Sequence, residues 1–311
     1  MAISFYYWKT KFQLSPKEEE LLKFNQVQNI YVRYFDIDKK LEDPFPESPI
    51  QFDSSCIGKT ITPVVFIKNR VFQGNKISTQ TLAKNTLDFV HQISQLNKIN
   101  TSNVIQIDCD WTDQTRSSFF EYIHQLERIS KEEITTTIRL HQVKYYKKTG
   151  IPSVKEGMLM YYNMGNLSVF EGNSIYKKEN AGKYIQSLEN YPLPLKVALP
   201  IFSWAIHIRN NRIIGLNSNV TRLNLAENAN VVLLKPNFYK VHTSHYFQGV
   251  FFRKADILKM EEVTPKDLLE MVEDLQKHLP KKPTEIVFYH LDNQTIKNYE
   301  KDIFKQVVSA F

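Results

Sequence analysis

Short β-rich runs give way again and again to stretches whose apolar residues recur at helical spacing, and this alternation restricts the fold more than any single residue does. ISFYYWKT (3–10) reads as a strand, and SPKEEELLKFNQ follows it as a helix with Ser15 as N-cap and Pro16 at the first helical position. NIYVRYFDID (29–38) and TPVVFIKN (62–69) are the second and third strands, and 78–98 is a long amphipathic helix. VIQIDCDW (104–111) is strand four, with the helix TDQTRSSFFEYIHQLERIS after it. Strand five is predicted over EITTTIRLHQV (133–143), strand six over EGMLMYYNMG (156–165) and strand seven over LKVALPIFSWAIHI (195–208). AGKYIQSLENY is a helix between six and seven; TPKDLLEMVEDLQKHL (264–279) precedes strand eight, TEIVFYHLD (284–292), and NQTIKNYEKDIFKQVV is a closing helix.

Eight strands separated mostly by helices in 311 residues point to a parallel sheet closed into a (β/α)8 TIM barrel, one domain over 1–311. Segment 209–255 breaks the rhythm with short β-like pieces and reads as a small insertion between strand seven and its helix. An open doubly wound sheet is the competing architecture, but no Gly-rich phosphate loop follows the first strand.

Composition narrows the partners. The net charge is +7 and the pI about 9.1, yet the lysines are scattered and form no arginine-rich stripe, which argues for a solvated basic surface and against nucleic acid. No apolar stretch is long enough for a membrane span. Cys56 and Cys109 have no metal or redox spacing; Cys109 belongs on the packed side of its strand, so a bridge between them is not expected. The first strand begins at Ile3 without a signal-peptide pattern, which predicts either a cytoplasmic protein or a chain secreted, periplasmic or surface-anchored after loss of a leader. No cofactor motif is present.

In this fold the loops at the C-terminal ends of the strands carry function. Those ends hold Trp8, Asp36 and Asp38, Asp108 and Asp110, His141, Tyr161, Tyr162 and Asn163, Trp204, and Tyr289, His290 and Asp292. Period-two alternation puts Gln106, Asp108, Asp110 and Thr112 on one face of strand four, with Ile105, Ile107 and Cys109 on the other. A polar face ending in two carboxylates is expensive to bury unless it opens on a site. Acids among aromatics suit a sugar, because planar rings cover pyranose faces while carboxylates take hydroxyls.

On these residues the chain resembles chitinase-like glycoside hydrolases of family eighteen. That family carries D-G-x-D-x-D-x-E on strand four, and IQIDCDWT aligns without a gap: Asp108 and Asp110 fall on the second and third acids and Trp111 on a common aromatic. M-x-Y-D of strand six is matched by Met160, Tyr162 and Asn163; G-x-P-x-Y-G of strand seven by Pro200, with Phe202 and Ser203 at the Tyr-Gly positions. W-x-x-D of strand eight is matched by Tyr289 and Asp292, and the family's insertion after strand seven falls where the rhythm breaks. The chain is also similar to a bacterial family of predicted sugar-hydrolase-like barrels with D-x-D on strand four. The departures fall on the chemistry. The proton-donating Glu of the motif is Thr112 here, the first acid is Ile105, and Asn163 cannot titrate. Family-type hydrolysis assisted by an N-acetylated substrate is therefore not expected.

The resemblance implies a carbohydrate at the mouth, with Trp8, Tyr162, Asn163, Trp204, Tyr289 and Asp292 as contacts. Three readings stay open. One is a glycosidase with a rearranged acid pair, Asp110 donating the proton and Asp36 or Asp108 as partner, the spacing of the carboxylates deciding the stereochemistry. Another is a catalytically silent, lectin-like barrel. The last is a hydrolase holding a divalent metal with Asp36, Asp108, Asp110 and His141, a set that matches no ligand motif. Each residue also has a bland role: Thr112 or Asp113 as a helix cap, Asp38 capping a turn, Asp108 paired with Arg33 or Arg139 inside the barrel, and His141, His290 and Trp8 as packing.

Overall fold

The structure is a computed structural model that describes residues 1–311 apart from 42, 54–57 and 75–76. Cys56, and with it the expectation about a bridge, lies outside the described residues. Eight parallel strands form the barrel: β1 (Ala2–Tyr7), β2 (Asn29–Lys40), β3 (Thr60–Ile67), β4 (Val104–Asp108), β5 (Glu133–Arg139), β6 (Gly157–Met160), β7 (Leu195–Pro200) and β8 (Glu285–Tyr289). The ring closes because β1 pairs with β8 (Ala2 opposite Glu285) and with β2 (Phe5 opposite Ile30).

Three of the helices begin at side-chain caps. Helix α1 (Pro16–Phe24) starts at Ser15, which forms a capping box with Glu18. Ser78 caps α2 (Thr79–Leu96), α3 (Arg116–Ile129) follows β4, and Thr264 with Asp267 boxes the start of α4 (Pro265–His278). A last helix, α5 (Ile303–Ala310), packs on β1 and α4. Their apolar faces and the outward faces of the strands make one core, from Phe5 and Ile30 through Ile107 and Phe119 to Phe288.

Several expected boundaries move. Strand five ends at Arg139, and Leu140–Lys144 is a short helix, so His141 stands on that helix and not on the strand. The helix expected at 181–191 is reduced to Lys178–Ala181 and a 3-10 turn at Ile185–Asn190. The closing helix breaks between Ile296 and Ile303. The strand expected at 195–208 is two strands: β7 stops at Pro200, and Ser203–Arg209 belongs to a second, five-stranded sheet. That sheet runs to Ile257–Glu262, so the insertion occupies 203–262, more than the 209–255 read from the sequence. It has its own small core of Ala205, Val220, Leu225, Tyr239, Val241, Phe252, Leu258 and Met260. Continuous apolar character through ALPIFSWAIHI hides the break, because both pieces are buried strands.

Candidate active site at the barrel mouth

The barrel interior is polar. Tyr6 on β1 donates its hydroxyl hydrogen to Gln106 on β4 at 2.5 Å, and Tyr31 on β2 donates to Glu285 on β8 at 2.8 Å. Both bonds join strands that are not neighbours, so they cross the inside. Ser4 and Lys196 complete the set around Glu285 at the closed end. Tyr6, Gln106 and Asp108 are stacked above this layer toward the mouth, as the alternation on strand four predicts.

Asp108 is the centre. It is 4% exposed and accepts a hydrogen bond from the Thr137 hydroxyl on β5 at 2.6 Å. Burial pushes its pKa up to about 6; Asp110 and Asp36 push the same way, while Arg139 and the Thr137 bond oppose them. Asp110, one step further out and half exposed, is gripped by Arg139 through both carboxylate oxygens, at 2.5 and 3.1 Å. Burial works against the Arg139 charge, but Asp110 and Asp108 outweigh it and hold its pKa above the ordinary value. Asp36 is bound by Arg33 at 2.6 Å. The three acids therefore play different parts: two are carboxylates locked in arginine pairs and one is a buried carboxyl that takes up a proton near neutrality. Asp110, expected as the proton donor, has Arg139 as its partner, as Asp36 has Arg33, whereas Asp108 is bound by the Thr137 hydroxyl.

The aromatic residues form a continuous strip beside these acids. Trp8 lies 5.5 Å from Tyr289, Tyr289 lies 5.5 Å from Tyr162 and 5.7 Å from Phe202, and Phe202 lies 5.2 Å from Trp204 (ring centroids). Trp8, Trp204 and Tyr289 keep part of their surface exposed, whereas Tyr162 and Phe202 are the buried backing. Burial raises the pKa of Tyr162 and Tyr289, and the nearby Asp108 adds to both, so their hydroxyls remain protonated donors. Asn163, exposed next to Tyr162, has the left-handed backbone (φ 53°) that Asn tolerates, and its amide nitrogen donates to the Ile175 carbonyl.

Several other expected positions have partners within the fold. Asp292 caps the turn of helix at Asn293–Ile296, accepting from the Gln294 amide at 2.7 Å, and pairs with Lys9 at 3.0 Å. Trp111 is fully buried in the helix layer, stacked on Phe119 at 4.9 Å, with its indole donating to the Thr149 carbonyl. Thr112 lies in the turn before α3, where its amide donates to the Thr115 hydroxyl. Asp38 is buried against Arg70 and Lys68, and Arg70 first among them holds its carboxyl well below the usual range. His141 lies at the surface, and partial desolvation of its ring lowers its pKa. Among the described residues no three His, Cys, Asp or Glu side chains converge as a metal-ligand set; Asp36, Asp108 and Asp110 have Arg33, Thr137 and Arg139 as partners instead.

Sequence reading offered Arg33 or Arg139 as a partner for Asp108 and did not single out Thr137; in the structure Thr137 takes Asp108, while Arg33 and Arg139 hold Asp36 and Asp110. The signal was available in ITTTIR: period two from Thr135 places Thr137 and Arg139 on the inward face beside Asp108 and Asp110.

No family profile matches the chain, and no curated protein matches it in sequence. Solved structures do match in fold. A chitinase from Bacteroides thetaiotaomicron superposes with a TM-score of 0.60 at 8% identity, over 99% of this chain and 96% of that one. The spore cortex-lytic enzyme SleL of Bacillus cereus gives 0.58 at 11% identity, over 100% of this chain and 74% of that one. A chitinase from Rhizomucor miehei gives 0.52 at 10% identity, over 99% and 100%. At such identities the likeness is one of fold: the chain is built like the glycoside-hydrolase barrels of the chitinase type.

Proposed function

We propose that the barrel mouth binds a carbohydrate, with Trp8, Tyr289 and Trp204 as stacking surfaces and Asp110, Asn163 and the Tyr289 hydroxyl as polar contacts. The observation that carries this reading is the unbroken aromatic strip from Trp8 to Trp204 alongside a set of acids already oriented by arginine. Rigid amphipathic rings offer apolar area at little entropic cost, and fixed charges beside them supply direction. The chitinases and the cortex-lytic enzyme that share the fold support the choice of ligand class. Binding without cleavage is the primary form of the proposal, because Thr112 stands where a carboxylic acid would be needed and Asp110 is ion-paired.

One observation favours a second form. A buried carboxyl with a pKa of about 6 is a competent general acid in mildly acidic solution, and Asp108 is such a group. A glycosidase of this kind would use Asp108 as donor in place of the expected Asp110. Purified protein challenged with a panel of poly- and oligosaccharides, read for both binding and new reducing ends, separates the two forms. Binding alone supports the lectin-like form. Release of reducing ends that Asp108→Asn abolishes, with binding kept, supports the glycosidase. No binding to any glycan refutes both.

A further inference from the structure

We infer that Glu261 is a positioning residue for the mouth: a buried ion pair with Lys259 holds the Trp204 indole and the loop behind Asn163 in one fixed arrangement. The inference rests on the carbohydrate reading of the mouth. Glu261 lies directly opposite Trp204 in the antiparallel pairing of Ser203–Arg209 with Ile257–Glu262. One carboxylate oxygen accepts from the Trp204 indole N–H at 3.1 Å, from the Ser174 amide at 3.0 Å and from the Ser174 hydroxyl. The other accepts from Lys259 at 2.7 Å, and Lys259 also donates to the Ser168 carbonyl at 3.2 Å. Glu261 and Lys259 are each 2% exposed.

The loop that this carboxylate holds leads straight to the other wall of the mouth. Asn163 donates its amide to the Ile175 carbonyl at 2.9 Å and Gly165 donates to the Ser174 carbonyl at 3.1 Å. The approach is so close at Gly165 that a Cβ would stand 3.0 Å from the Ser174 Cα. Two candidate contacts, Trp204 from the insertion and Asn163 from the loop after β6, are thus set by one buried carboxylate. Attaching the insertion to the barrel does not by itself call for this, since apolar residues of similar volume attach surfaces as well or better than a buried ion pair. What apolar residues lack is an acceptor that fixes the direction of an indole N–H.

The test uses the full chain. Both charges are removed together by Glu261→Leu with Lys259→Met, so that neither is left buried alone. In a Trp8→Phe background the quenchable tryptophan emission comes from Trp204, because Trp111 is fully buried. The charge-free variant is expected to make that emission more accessible to acrylamide; unchanged quenching overturns the inference whether or not any glycan binds. A double-mutant cycle with Trp204→Ala then reads function. Using the oligosaccharide bound in the panel, removal of the pair is expected to cost about tenfold in affinity when Trp204 is present and nothing further when it is absent. An equal loss in both backgrounds overturns the inference by assigning the pair to general scaffolding. Should the charge-free variant not fold, Ser174→Ala withdraws one donor and keeps both charges; it is expected to move the quenching the same way by less, and no movement counts against the inference. If the wild type binds no glycan while quenching still responds, the carbohydrate reading fails and the hold on Trp204 stands.

Discussion

Replacing Asp108 by Asn removes an acid of the mouth that the fold holds in an unfavourable environment. Its pKa in the folded chain is about 6, against an ordinary 3.8. A displacement of that size corresponds to about 3 kcal/mol between the protonated and ionised forms. The folded state binds the proton more tightly than the unfolded chain does, so this contribution is fully present below the ordinary pKa and is lost as pH rises through about 6. Asp108→Asn keeps an acceptor for Thr137 and has no charge to desolvate. The variant should match the wild type near the ordinary carboxyl pKa and become the more stable of the two by up to about 3 kcal/mol at neutral pH. Chemical denaturation of both proteins across that range measures the difference directly. His141 and His290, both with pKa values lowered by burial, are present in both proteins, so their contributions cancel. A difference independent of pH, or a variant that loses ground as pH rises, would refute the account of Asp108. A gain would mean that the wild type forgoes stability at this position, the pattern expected where a site is kept for a ligand.

Arg139 opposes the rise of the Asp108 pKa, so Arg139→Gln should move the Asp108 transition above about 6; the stability difference between Arg139→Gln and its Asp108→Asn derivative, followed against pH, reads the midpoint. Trp111→Ala should cost about 3–5 kcal/mol in denaturant melts while leaving the glycan affinity of the folded protein unchanged, because the ring fills the helix layer and does not reach the mouth. In the insertion, burial works against the Asp256 charge, but hydrogen bonds from Arg209 and His207 outweigh it and bring its pKa down to about 2. That stabilisation is present above the ordinary carboxyl pKa and is lost as pH falls toward about 2. Asp256→Asn should therefore loosen the insertion at neutral pH and differ less from the wild type in strong acid, as amide hydrogen exchange of Ile257–Glu262 would show.

The barrel was legible because the same physics recurs along the chain: β-branched or aromatic runs buried under amphipathic helices. Ser15 marks its helix in the sequence and caps it in the structure, and Ser78 and Thr264, the first residues of the segments read as helices, prove to be caps as well. Asp108 was legible from period two alone, since Gln106 and Asp108 had to share the inward face. Roles were harder than places. Asp108 and Asp110 look equivalent in IDCD, yet one is buried beside Thr137 and the other is held by Arg139 from the neighbouring strand, a pairing set by register and not by spacing. Trp111 has the composition of a platform and the position of a wedge. The break between Pro200 and Ser203 leaves no trace in hydropathy because the chain passes from one buried sheet into another. Glu261 sits well over a hundred residues from Asp108 and Asp110 in the sequence, and only the folded insertion sets it opposite Trp204.

The central claim is that the mouth of this barrel takes a sugar against its aromatic strip. Titrating the wild type with each glycan of the panel while following tryptophan emission tests it most directly, because Trp8 and Trp204 line the mouth and Trp111 is sealed in the core. The account predicts a saturable change with at least one glycan and a weaker affinity for that glycan in Trp8→Ala. A flat response across the panel, or binding that Trp8→Ala and Trp204→Ala leave untouched, would contradict it.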